Sequence, residues 1–158
     1  MIEIFNIDDS YKWDEIVRSF SQYDVYYLSG YVKAFSIHGD GEPQLLYYTS
    51  PSLRAIYVFM KRATFVDGIF DSITPYGYGG VLFEGDVTDS ALEEFWHVYV
   101  AKMKELNIIS SFVRYHPIIN NVANVRVITD VINLGKTISI DLTSTDIIWG
   151  NIISKNKN

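Results

Sequence analysis

A chain of 158 residues with 48% hydrophobic and 20% charged side chains has enough apolar surface to offset the entropy of ordering a domain-sized core, which excludes a disordered chain. A formal charge of −6 disfavours a general nucleic-acid surface, and the absence of cysteine removes disulfides, thiolate catalysis and cysteine-based zinc sites. No secretory apolar segment follows Met1 and no uninterrupted apolar stretch is long enough to cross a bilayer, so a soluble cytoplasmic location is the default expectation.

In chain order, Ile2-Glu3-Ile4-Phe5 reads as a short edge strand. Asp8, Asp9 and Ser10 offer N-cap chemistry before Trp13, Ile16, Val17 and Phe20, whose spacing places four apolar groups on one helical face. A second helical pattern runs through Leu28, Tyr31, Val32 and Phe35 and stops at Gly39 and Gly41, while Val25-Tyr26-Tyr27 before it is more strand-like. Residues 44–49 and 53–62 form two β-rich runs joined by Ser50-Pro51-Ser52, which predicts an antiparallel hairpin. After a less periodic stretch that can turn at Asp67-Gly68, Thr74-Pro75-Tyr76-Gly77-Tyr78-Gly79-Gly80 predicts a shaped loop, and Val81-Leu82-Phe83 a short strand.

The clearest helix follows Asp89. Ser90 and Glu93 have capping-box spacing, and Leu92, Phe95, Trp96, Tyr99, Met103 and Leu106 form one stripe that asks for a sheet to cover it. Ile108 to Tyr115 reads as a strand leading into His116-Pro117, followed by a short helical or irregular link and β-rich material from Val122 to Leu134. In Lys136 to Leu142 the residues Ile138, Ile140 and Leu142 alternate with Thr137, Ser139 and Asp141, which predicts a late strand. Ser144, Thr145 or Asp146 can cap a last helix containing Ile147, Ile148, Ile152 and Ile153. The fold class expected is α/β, a single domain over residues 1–158 with a mostly antiparallel mixed sheet and packed helices.

No dinucleotide fingerprint, P-loop or Ser/His/Asp order stands out, and the three histidines do not make a metal motif. His38 and His97 read as surface or packing residues, whereas His116, between Arg114 and Pro117, stands where a loop can expose it above a sheet. In the loop, glycine N–H groups and the rings or hydroxyls of Tyr76 and Tyr78 are either ligand contacts or parts of a turn. Arg114 can hold a phosphate or carboxylate bidentately, or pair with Asp71, Asp130 or Asp141. Lys33 either neutralises a ligand charge or is a solvated helical lysine. Lys33, Lys61, Arg62, Arg114, Arg126 and Lys136 could gather into a small basic patch. Asp71 and Asp141 are candidate bases or backbone acceptors.

Three segments, Thr74 to Gly80, Phe112-Val113-Arg114-Tyr115-His116-Pro117 and Lys136 to Leu142, resemble the first half of proteins in the Fem-like branch of the GNAT superfamily, which includes peptidoglycan-bridge aminoacyltransferases and acetyltransferase-like proteins. The resemblance implies a GNAT-like amino-terminal domain that shapes the acceptor cleft of a two-domain protein. It implies transfer of an acyl group to an amine on a small molecule or cell-wall precursor. The donor, acyl-CoA or aminoacyl-tRNA, would belong to the second domain, with no cofactor held by this half. Under that resemblance the substrate-binding residues are Lys33, Tyr76, Gly77, Tyr78, Gly79, Arg114 and His116, and no catalytic residue is assigned. Bridge-forming members carry an Arg-Gly-Pro-like segment near this loop, where this chain has Pro75-Tyr76-Gly77-Tyr78-Gly79. The competing expectation is a noncatalytic domain that binds a small molecule, glycan or protein through the aromatic loop.

Overall fold

Strand β3 explains the layering of the molecule through its own alternation. In the computed structural model, which describes residues 1–125, 130–139 and 141–152, β3 runs over Leu53–Ala63. Its Ala55, Tyr57 and Phe59 enter one core, and its Ile56, Val58 and Met60 enter another on the opposite face. Both faces are therefore apolar, and each needs its own helical cover.

The first cover is α1 (Ser10–Arg18) with α2 (Ser29–His38), which bring Trp13, Ile16, Val17 and Val32 onto Ile56, Val58 and Met60. Asp9 caps α1 by accepting from the Lys12 N–H, and Gly39 ends α2 in the left-handed region at φ 100°. The second cover is α3 (Asp89–Glu105), whose Leu92, Phe95, Trp96 and Met103 pack on Tyr57 and Phe59. Burying one such large side chain contributes about 1.5–3 kcal/mol. The predicted stripe thus finds its sheet.

The sheet contains β1 (Ile2–Asn6), β2 (Glu42–Thr49), β3, β4 (Phe70–Ile73), β5 (Leu82–Gly85) and β6 (Ile108–Phe112). Its order is β1-β2-β3-β4-β6, with β5 also on β3; β4 and β6 are parallel and the other pairs antiparallel. The result is an α/β fold with a mostly antiparallel mixed sheet, as expected. β4 and β5 lie along the same side of β3: Ile73 faces Met60 and Leu82 faces Ile56. Between them the chain leaves the ladder as the Thr74–Val81 loop.

Four local expectations are corrected. Val25–Tyr27 is a 3-10 turn, because Asp24 caps it and Tyr27 turns inward instead of extending along a ladder. The cap of α3 is Thr88, which accepts from the Ala91 N–H; Ser90 already lies inside the helix, so the Ser90/Glu93 box does not form. The β-rich reading of Val122 to Leu134 fails where it can be seen. Residues 121–124 form a 3-10 turn and 130–134 contain no strand, while 126–129 lie outside the described residues. The late strand is likewise absent over 136–139 and 141–142, with Ile140 outside the described residues, because no neighbouring ladder runs beside that segment. The last helix is present as α4 (Thr145–Asn151), capped by the Ser144 hydroxyl, but it ends before Ile152, which is extended, and Ile153 and residues 154–158 lie outside the described residues.

Candidate functional site

The Thr74–Val81 loop is held from below by a buried hydrogen-bond hub. Trp13 Nε1 donates to the Tyr27 carbonyl at 2.8 Å, and the Tyr27 hydroxyl donates to the Gly80 carbonyl at 3.1 Å. Asn121 Nδ2 reaches the Tyr27 hydroxyl at 3.3 Å and the Gly79 carbonyl at 2.9 Å, while its Oδ1 accepts from the His116 N–H at 3.0 Å. Burial pushes the Tyr27 phenol well above its ordinary value, so it stays a protonated donor. The chain after β6 adds two more ties: Gly79 N donates to the Arg114 carbonyl at 2.7 Å, and Arg114 N donates to Thr74 Oγ1 at 3.2 Å.

His116 is part of the same framework. It is 3% exposed, and its Nδ1 accepts from the N–H groups of Ile118 and Ile119, both at 3.2 Å. That leaves the ring proton on Nε2, which donates to Asp24 Oδ2 at 2.9 Å. The other Asp24 oxygen accepts from the Val25 N–H. Both imidazole nitrogens are engaged, so this histidine orients chain segments and has no free lone pair to offer a substrate.

Above the hub lies an aromatic face assembled from two distant segments. Tyr26 meets Tyr31 edge-on at 5.2 Å between centroids and Tyr78 at 5.9 Å, and Tyr78 lies 5.7 Å from the His116 ring. Phe35 stacks on Tyr76 at 5.8 Å, and the Tyr31 hydroxyl donates to the Tyr76 carbonyl at 2.8 Å. Gly77 makes the approach possible. Its φ is +97°, and a Cβ there would sit 2.3 Å from Tyr26 Cε1. The Tyr26, Tyr76 and Tyr78 hydroxyls have no hydrogen-bond partner among the described residues, and Tyr76 is 68% exposed. Such a face can cover an apolar ring or alkyl chain while hydrogen-bonding its polar rim.

The fold therefore brings Tyr76, Gly77, Tyr78, Gly79 and His116 together. Lys33 is exposed on α2, one position past Val32 of the core, and Arg114 is exposed just beyond β6, its guanidinium 5.6 Å from the Phe112 ring. Neither forms an ion pair with a described residue. Asp71 is not available to Arg114, since Arg62 holds it through two bonds of 2.8 Å. Hydrogen bonds from the Thr143 side chain and then from its N–H, the latter at 2.8 Å, hold the Asp141 carboxyl below the usual range. In the expected basic patch, Lys61 lies over the Phe70 ring at 3.9 Å, Lys136 is exposed in the strand-free stretch and Arg126 lies outside the described residues. His38 pairs with Asp40 at the surface, and His97 is exposed on α3.

Asp24, Tyr26, Tyr31, Phe35 and Asn121 are additions that the sequence reading did not place here. Tyr31 and Phe35 stand four residues apart on α2, a spacing that signals a shared face without saying what the face meets. A separate polar cleft of about 140 Å³ lies between Ser21-Gln22, β5 and Asn120-Asn124. Among the described residues there is no group of three side chains suited to a metal ion, and no helix is long and apolar enough to cross a membrane. No protein-family model, curated protein or solved structure matches the chain.

Proposed function

We propose that this chain is the acceptor-binding, amino-terminal half of a Fem-like acyl- or aminoacyl-transferase of the GNAT superfamily. The observation that carries the reading is the aromatic face around Tyr76–Gly79, built on a hydrogen-bonded hub, open to solvent at Tyr76 and half-buried at Tyr78. The mostly antiparallel sheet with one parallel pair supports it. Tyr26, Tyr76 and Tyr78 hold the acceptor, a small-molecule or cell-wall-precursor amine, and Arg114, whose backbone joins the loop at Thr74 and Gly79, attracts its anionic groups. Lys33 stands roughly 200° round α2 from Tyr31 and faces away from the loop. His116 positions the loop.

In the reaction, the acceptor nitrogen forms a bond to the donor carbonyl and the thiolate of acyl-CoA or the ribose oxygen of aminoacyl-tRNA leaves with the amine proton. The donor is assigned to a second domain. The start of α3 supports this division, because Asp86 and Asp89 flank the Thr88 cap and oppose a phosphate-bearing donor there. The contribution of this half is orientation, which lowers the barrier by fixing the amine near the carbonyl.

A second reading, a noncatalytic binding domain, is favoured by the full engagement of both His116 ring nitrogens in the framework, which leaves this loop-side histidine none to offer a substrate. One experiment separates the two. The full-length gene product is incubated with acyl-CoA and with charged tRNA across a panel of amines, and transfer is read by mass. Transfer with an acceptor KM raised about tenfold by Tyr78→Ala is the expected outcome. A folded preparation that binds amines saturably but never consumes a donor leaves the binding reading. Absence of any binding sinks both.

A further inference from the structure

The strands at the two ends of the main path of the sheet, β1 and β6, are finished differently. At one end β1, five residues long like β6, leaves Glu3 and Asn6 exposed. At the other, β6 carries no charge between Ile108 and Phe112, and Ile109 and Phe112 are 72% and 53% exposed. Among the described residues β6 pairs with β4 alone. A bulge at Ile109 interrupts the ladder near its start, but Ser110, Ser111 and Phe112 follow in regular register with Asp71, Ser72 and Ile73. An uncharged edge of this kind presents unpaired N–H and C=O groups to any extended segment that reaches it.

The chain itself carries such a segment. Lys136, Thr137, Ile138 and Ser139 begin the alternation that the sequence continues to Leu142, yet Ile138 is 89% exposed and Leu142 75%. A run with every second residue apolar has one side to bury, and here Ile138 and Leu142 on that side lie in water. We propose that this segment docks on the open edge of β6 in the same chain and completes the sheet.

Reach and concentration both favour the chain's own segment over a second copy. Val125 is fully buried, and the eleven steps from it to Lys136 can span roughly 36 Å at about 3.3 Å each. β6 is about 17 Å long on the same scale. A tether of this length supplies an effective concentration on the order of millimolar, above what a free second copy offers in dilute solution.

Hydrogen exchange on the full chain tests the proposal. The N–H groups of Thr137, Ile138 and Ser139 have no partner among the described residues, so protection there reports docking directly. In an edge strand every second N–H faces the ladder, so slowing by about tenfold or more is expected at Thr137 and Ser139 or at Ile138, unchanged by a hundredfold dilution. Ser139→Pro, which removes one donor and restricts the segment, should return Thr137 and Ile138 to unprotected rates and speed exchange at Ser110–Phe112, while the β2–β3 hairpin keeps its protection. Unprotected exchange over 137–139 in the unmutated chain overturns the proposal. Protection that disappears on dilution also overturns it, by assigning the edge to a second copy.

Discussion

Two aromatic clusters sit on opposite sides of the sheet, built from the same residue types and put to different uses. Under α3, Phe95 lies 4.7 Å from Trp96 and 5.0 Å from Phe83, and Phe95 has no exposed surface. Around the loop, Tyr26, Tyr31, Phe35, Tyr76 and Tyr78 make similar ring contacts but leave three hydroxyls without a partner among the described residues and Tyr76 largely in water. Ring density alone does not separate core from site. The difference lies in where the hydroxyls go and in which cluster a close-packed helix seals.

Truncation should break the comparison most sharply. Phe95→Ala is expected to cost about 3–5 kcal/mol in denaturant unfolding, since it opens a cavity in the sealed cluster. Tyr76→Ala, at an exposed position, should shift stability by about 0.5 kcal/mol or less and act on ligand affinity instead. If the two cost the same, the loop cluster is core and the proposed face does not exist.

The hub gives the next effect. Asn121→Ala strands the His116 N–H and the Gly79 carbonyl, at an expected cost of about 1–3 kcal/mol. Hydrogen exchange should show faster opening of the loop with little change in α3. Gly77→Ala acts above the hub: strain at positive φ and collision with Tyr26 should cost about 1–2 kcal/mol and move the Tyr26 ring signals in NMR spectra.

A pH series sharpens the contrast at smaller amplitude. Burial pushes the Tyr99 phenol up to about 12, so its neutral form is favoured by folding. That contribution is fully present below the ordinary tyrosine value near 10 and is lost as pH rises toward 12. Tyr99→Phe should flatten the alkaline fall in stability, measured by urea midpoints between about pH 9.5 and 12. At the acid end, bonds from Ser21 and then Arg54 hold the Glu84 carboxyl below its ordinary value. Its contribution is present above the unfolded value near 4.3 and fades as pH drops through the lower folded one. Glu84→Gln should remove that part of the acid dependence.

The strands through β3, the three long helices and the loop at Thr74–Gly80 were legible because each carries a local pattern: alternation, a 3.6-residue stripe, or glycine beside proline. The site was legible only on its loop side. Asp24 and Asn121 are polar residues without a motif, and their meeting with His116 spans 92 and 5 positions of the chain. Tyr31 and Phe35 read as helix-face residues because periodicity reports a direction and not the identity of what faces it. The late segment shows the opposite limit. Its pattern is clean, but alternation supplies only half of a strand, and the other half is a neighbour.

The departure of the chain from β3 between β4 and β5 carries a consequence for how this surface can diversify. Ile73 and Leu82 are nine positions apart but face Met60 and Ile56, which are four apart, so the excess chain is spooled outside the ladder. The side chain at Tyr76, the exposed position of the loop, can be exchanged without shifting the register of either flanking strand, whereas a change of length would cut the bonds that hold Thr74, Tyr76, Gly79 and Gly80. A library of side chains at position 76 would vary recognition while the scaffold melts at a nearly constant temperature.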